Sequence, residues 1–132
     1  MASDPPGPRV ERRRYARVFF TPPLVAKVGR VTVELLDLNL AGATIAHYEH
    51  LAPAQRGELR FAYGSGEVSV PCIVKRCHIS GLKHVLTGRN AFRSVIVFPD
   101  LNDGARRSLE RLMVAAIMKM AEPGGATGSI RP

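Results

Sequence analysis

The chain has 132 residues with Lys and Arg 19 times against 11 Asp and Glu, a net charge of +8, and is 45% hydrophobic and 23% charged. This is ordinary composition for one globular domain, long enough to bury a core without disulfides or metals. Two Cys do not make a disulfide framework, the longest apolar run (Leu112–Met118) is too short to span a bilayer, and the start MASDPPGPRVERRR lacks the apolar stretch of a signal peptide, so a cytoplasmic protein without a membrane span is expected.

Residues 1–10 are rich in Pro and read as a disordered lead-in, residues 11–121 as the folded domain, and residues 122–132, with Pro123, Gly124 and Gly125, as a flexible tail. Charge is densest where the lead-in meets the domain. Residues 9–17 hold five Arg against one Glu, so half of the net charge sits in one short arm. Such a run is ordinarily a solvated linker. An anionic ligand would relieve its self-repulsion, and Arg13 and Arg17 stand in the spacing R-x-x-x-R. Arg also supplies 15 of the 19 cations, and its planar fork suits phosphate and guanine better than the point charge of Lys.

A first strand is predicted over Arg17–Phe20, and the middle of the chain reads as all-β. Short β-prone runs occupy Val31–Leu40, Ala43–Ala46, Glu58–Tyr63, Glu67–Arg76, Leu82–Thr87 and Phe92–Phe98. Turn signals separate them at Ala41-Gly42, Arg56-Gly57, Gly64-Ser65-Gly66, Ser80-Gly81 and Gly88-Arg89-Asn90. Short strands at this spacing suggest a closed barrel or a sandwich. Pro71 predicts an edge position or a bulge.

In the run 31–40 the hydrophobic alternation changes phase at Leu35-Leu36. Val31, Val33 and Leu35 share one face, and Leu36, Leu38 and Leu40 then continue it. A one-residue slip would otherwise invert every later side chain, so the strand needs a bulge or sharp bend there. Asp37 and Asn39 are then expected side by side on the outer surface, followed by Gly42, which admits a positive φ or a close approach. At the C-terminal end Asn102 or Asp103 can cap a helix reaching Ala121. Its apolar stripe is Ala105, Leu109, Leu112, Met113, Ala116, Ile117 and Met120, with Arg106, Arg107, Glu110 and Lys119 opposite. That stripe suits packing on the barrel and also suits a docking or dimer contact.

The pair of motifs, Arg13-x-x-x-Arg17 and Asp37-Leu38-Asn39-Leu40-Ala41-Gly42, resembles the signature of the PilZ domain family, R-x-x-x-R followed some twenty to thirty residues on by D/N-x-S-x-x-G. The late strand Arg93–Phe98 and the helix with Leu-Glu-Arg-Leu at 109–112 extend the likeness over most of the domain. The resemblance implies an all-β, six-stranded antiparallel β-barrel with a C-terminal α-helix, and a receptor for the bacterial second messenger cyclic di-GMP. Arg13 and Arg17 would clamp guanine and phosphate, Asp37, Asn39 and Gly42 would line the barrel surface, and Arg12 would stack on a second nucleotide. A carboxylate such as Asp37 can accept from guanine N–H groups. The family's serine is Asn39 here, which keeps a donor and an acceptor.

Ligand binding would order the Arg arm and present a surface to a partner protein, which the sequence does not identify. No cofactor or metal is expected. Cys72 and Cys77 are an odd number apart and on a regular strand face opposite ways, and His47 and His50 lack partners at metal spacing. No catalytic motif appears, so an enzyme is not expected. Two further readings fit the same residues. One is a PilZ-like adaptor that binds protein and not cyclic di-GMP. The other is a small basic barrel for single-stranded nucleic acid, which the lack of Trp and the total of eight Phe and Tyr make the weaker.

Overall fold

The computed structural model describes residues 17–121 and 128–131. The described elements are β1 (Arg17–Val28), β2 (Val31–Leu38), β3 (Gly42–His47), β4 (Arg56–Tyr63), β5 (Gly66–Lys83), β6 (Asn90–Val97), a helix α1 (Asp103–Ala121) and β7 (Gly128–Arg131). All strand pairs are antiparallel, in the order β2-β3-β6-β5-β4-β1-β7, and β1 also pairs with β2. That last pairing joins the two ends of the six-strand order, so β1–β6 form a closed cycle of pairs, as expected of a PilZ-like barrel.

Alternation builds the interior. In β5, Val68, Val70, Cys72 and Val74 are buried while Glu67, Ser69 and Pro71 are exposed, and in β4 Leu59 and Phe61 are buried between exposed Glu58, Arg60 and Ala62. These side chains join Val33, Leu35, Leu38, Ile45 and Ile96 in one core. Each fully buried aliphatic contributes roughly 1.5–3 kcal/mol. The helix closes one side. Asn102 caps it, its Oδ1 accepting from the Ala105 N–H at 2.8 Å. Leu109, Leu112, Met113 and Ala116 join the core, while Ile117 stays 39% exposed.

Four local expectations need correction. β1 runs past Phe20 to Val28, because Pro22 and Pro23 interrupt its pairing with β2, between Phe19 and Leu24, without ending the extended backbone. Arg56-Gly57 opens β4 rather than turning the chain. Ser80-Gly81 lies inside β5, where Gly81 takes φ +90° and the register with β6 shifts between Ile79 and Lys83, so the turn signal marks a bulge. Residues 82–87 are therefore the end of β5 and the loop after it, not a strand of their own. Apart from these four, the short strand β7 (Gly128–Arg131) pairs with residues 17–20 of β1, on the edge that β4 leaves open. Pro71 keeps an unbroken register opposite Glu58, and pairing with β6 begins only at Ile73, so one side of β5 is free of a partner strand at the proline.

Candidate ligand-binding cleft

Two β-bulges meet at one place on the barrel wall. In β2 the register with β3 slips between Leu35 and Asp37, making Leu36 the extra residue where the sequence changes phase. In β5 the register with β6 slips between Val74 and Arg76, making Lys75 the extra residue. A bulge re-aims the side chains around it. The adjacent cations Lys75 and Arg76, which a regular strand would send to opposite faces, both line one cleft with Arg17, Asp37, Asn39 and Gly42. The cleft holds about 290 Å³, at the small end of ligand pockets, which run to roughly 1,000 Å³.

Asp37 is the carboxylate of this cleft and is only 8% exposed. It therefore lies at the cleft floor, not on an open surface as the alternation predicts, since the rims rise on either side of it. Burial pushes its carboxyl above the ordinary 3.8, and this outweighs the Thr44 hydroxyl, the Arg17 charge, the Thr44 N–H and the Arg93 charge, all of which favour the ionised form. Thr44 is the residue opposite Asp37 in the β2–β3 ladder, so strand register supplies the hydrogen bond.

Asn39 shapes the turn that bounds the cleft. Its Oδ1 accepts from the N–H groups of Ala41 at 2.8 Å and Gly42 at 2.9 Å, and its own N–H donates to the Gly42 carbonyl at 2.9 Å. The acceptor is thus committed to backbone, and the Nδ2 amide remains as the group an incoming molecule can meet. Gly42 has a structural reason of its own. A Cβ there would overlap the carbonyl oxygen of Ile96, so glycine lets β3 approach β6 this closely. Arg12 and Arg13 lie outside the described residues. Arg17, Asp37, Asn39 and Gly42 come together.

The motif pair does not reach Lys75, Arg76 or Thr44. A signal for the first two is present in the odd separation of Cys72 and Cys77. On a regular strand these face opposite ways, but with Lys75 as an extra residue Cys77 packs against the same core as buried Cys72. Both thiols are free, and burial raises that of Cys72 to about 11.

A second buried polar pair lies at the other end of β3. His47 Nδ1 donates to the Glu49 carbonyl at 2.6 Å, which fixes the tautomer, and Nε2 accepts from the Ser94 hydroxyl at 2.7 Å. Ser94 is fully buried, so this pair ties β3 to β6 and offers no nucleophile to a substrate.

The model of the PilZ domain matches residues 11–115. The chain belongs to the PilZ domain family. The fold of this PilZ domain is similar to that of the solved PilZ domain with c-di-GMP of YcgR from Escherichia coli, at 18% identity and a TM-score of 0.64 over 85% of this chain and 99% of that one. A search of curated proteins returns no match. Both motifs of this PilZ domain fall within the matched span, and of their described residues Arg17, Asp37, Asn39, Ala41 and Gly42 line the cleft, while Leu38 and Leu40 face the core.

Proposed function

We propose that this PilZ domain is a receptor for cyclic di-GMP, bound at the cleft between the start of β1, the β2–β3 turn and the β5 bulge. The observation that carries the reading is the convergence of Arg17, Lys75 and Arg76 around the buried carboxylate of Asp37. Cations crowd the rim, and a carboxylate waits on the floor. A cyclic dinucleotide answers both, because its phosphates neutralise the guanidinium and ammonium groups while a guanine N1–H and N2–H₂ edge donates to Asp37. An Arg fork on guanine O6 and N7 contributes roughly 1–3 kcal/mol of discrimination.

The cleft has room for part of such a ligand. The remainder would be covered by the arm carrying Arg12 and Arg13, with Arg13 and Arg17 gripping from two sides and Arg12 stacking on a second nucleotide. Ligand charge would draw this arm onto the barrel, and the surface so formed would be read by a partner protein.

Calorimetric titration with cyclic di-GMP tests the receptor, and hydrogen exchange over residues 9–20 with and without saturating ligand tests the arm. Saturable binding with protection of the arm is expected. Unchanged exchange would discard the ordering step alone, whereas no heat at high micromolar ligand would discard the receptor. The latter result would leave the adaptor reading, which draws support from Asn39, whose acceptor is committed to its own turn. A barrel for single-stranded nucleic acid draws less support, since Phe20, Phe61 and Phe98 are core residues and not stacking platforms.

A further inference from the structure

The β5–β6 hairpin projects an apolar tip that nothing in the described structure covers. Ile79 is 59% exposed, Leu82 68%, Val85 95% and Leu86 88%. Aliphatic side chains gathered at such exposure mark a contact surface more than a solvent face. The loop that carries the last two is held in shape. His84 Nδ1 accepts from the N–H groups of Leu86 and Thr87, both at 3.2 Å, the His84 carbonyl accepts from Gly88 N–H at 2.9 Å, and Arg89 N–H donates to the Thr87 hydroxyl at 3.2 Å. With its polar groups satisfied internally, the loop turns Val85 and Leu86 outward.

The hairpin's own charge has one sign, and the nearest carboxylates, Glu34 and Glu49, share a pocket with Arg89 on the barrel side of the loop. Residues 68–99 contain seven Lys, Arg and His and no Asp or Glu. Lys83 and Arg89 flank the apolar pair, and both are exposed, although one Arg89 N–H donates back to the Tyr48 carbonyl at 3.2 Å. The tip is convex, so a protein partner would need a matching hollow with acidic walls. A bilayer surface needs none, because headgroups part around a protruding side chain at any azimuth and anionic lipids supply the countercharge over a whole plane.

We propose that the β5–β6 hairpin is a membrane-surface anchor, with Val85 and Leu86 as a shallow apolar wedge and Lys83 and Arg89 as contacts to anionic headgroups. The tip lies beyond the end of β5 at Lys83, which is seven or eight residues along the strand from the cleft cations Arg76 and Lys75, roughly 25 Å at strand rise. The anchor therefore leaves the cleft open, and it stands whether or not the cleft binds a dinucleotide.

The test is co-sedimentation of the full chain with vesicles of phosphatidylcholine alone and of phosphatidylcholine with phosphatidylglycerol. Partition onto the anionic vesicles only is expected, weakening with added salt. The double variant Val85→Ser/Leu86→Ser, at positions open to solvent, should keep its melting temperature and lose about tenfold in partition, and Lys83→Gln about fivefold. The chain contains no Trp, so the indole of a Leu86→Trp variant reports the tip alone, and its emission should shift to the blue on anionic vesicles. Absence of partition, wild-type partition by the double variant, or an unshifted indole emission would each overturn the anchor. Retention by an acidic protein with none by vesicles would do the same and assign the hairpin to a protein partner.

Discussion

The β2–β3 ladder buries a polar group toward each end, and the two are treated differently. At one end His47 has both ring nitrogens partnered, by the Glu49 carbonyl and the Ser94 hydroxyl. At the other end Asp37 is buried but only part compensated, so its carboxyl is held above its ordinary range beneath a cationic rim. A polar group satisfied on all sides holds strands together and has nothing left to offer. One that keeps unmet capacity at the floor of a cleft destabilises the empty fold and is ready for a ligand. The bulges make the same division. β2 and β5 each break register beside Asp37, whereas β3 and β6 pair without a break from Gly42 to His47.

The comparison is sharpest if stability and binding separate. The largest effect is expected for His47→Ala, which leaves the Ser94 hydroxyl buried without its partner and opens a cavity. A loss of about 3 kcal/mol in denaturant unfolding is expected, with cyclic di-GMP affinity unchanged in the folded fraction. An affinity that falls with it would show the two ends to be coupled. Next, Arg17→Ala and Arg13→Ala should each weaken cyclic di-GMP by at least tenfold, about 1.4 kcal/mol, by calorimetry, while the exposed site of Arg17 keeps its unfolding midpoint near wild type. Wild-type affinity in both would break the proposed clamp.

Asp37→Asn should move the two quantities in opposite directions. Its folded pKa lies above the unfolded value of 3.8, so the native state binds the extra proton and loses stability as pH rises from 3.8 through the folded value. Removing the charge should raise the melting temperature at pH 7, with the gain vanishing below pH 3.8. Affinity should fall about tenfold, because an amide presents one acceptor where the carboxylate presents two. A melting temperature that falls at pH 7 would show the ionised carboxylate to be an asset of the empty fold.

The smallest effect expected is the pH response of His47. Burial lowers its pKa from 6.5, so the unfolded chain takes up the proton first. Stability is full above pH 6.5 and declines as pH falls from there through the lowered folded value. Melting curves across that window should show the decline in wild type and its absence in His47→Gln.

The all-β class with a C-terminal helix, the bulge or bend at Leu35-Leu36 and the two motifs are legible in the sequence because they are local, whereas the choice of barrel over sandwich comes only from the family resemblance. Alternation with period two, a cap at Asn102 and a phase slip are written in neighbouring residues. Spacing also places Arg17, Asp37, Asn39 and Gly42 in one hypothesis. The rest depends on how the strands assemble. Lys75 and Arg76 join Asp37 only because β5 breaks register opposite β6, an event that depends on a strand about twenty residues away. Asp37 is buried because the cleft walls come from other strands, which alternation along β2 cannot see. Gly42 is demanded by the Ile96 carbonyl across the ladder, and Ser80-Gly81 becomes a bulge because β6 continues beside it. Burial and charge convergence are sums over segments distant in the chain, and only the closed barrel performs that sum.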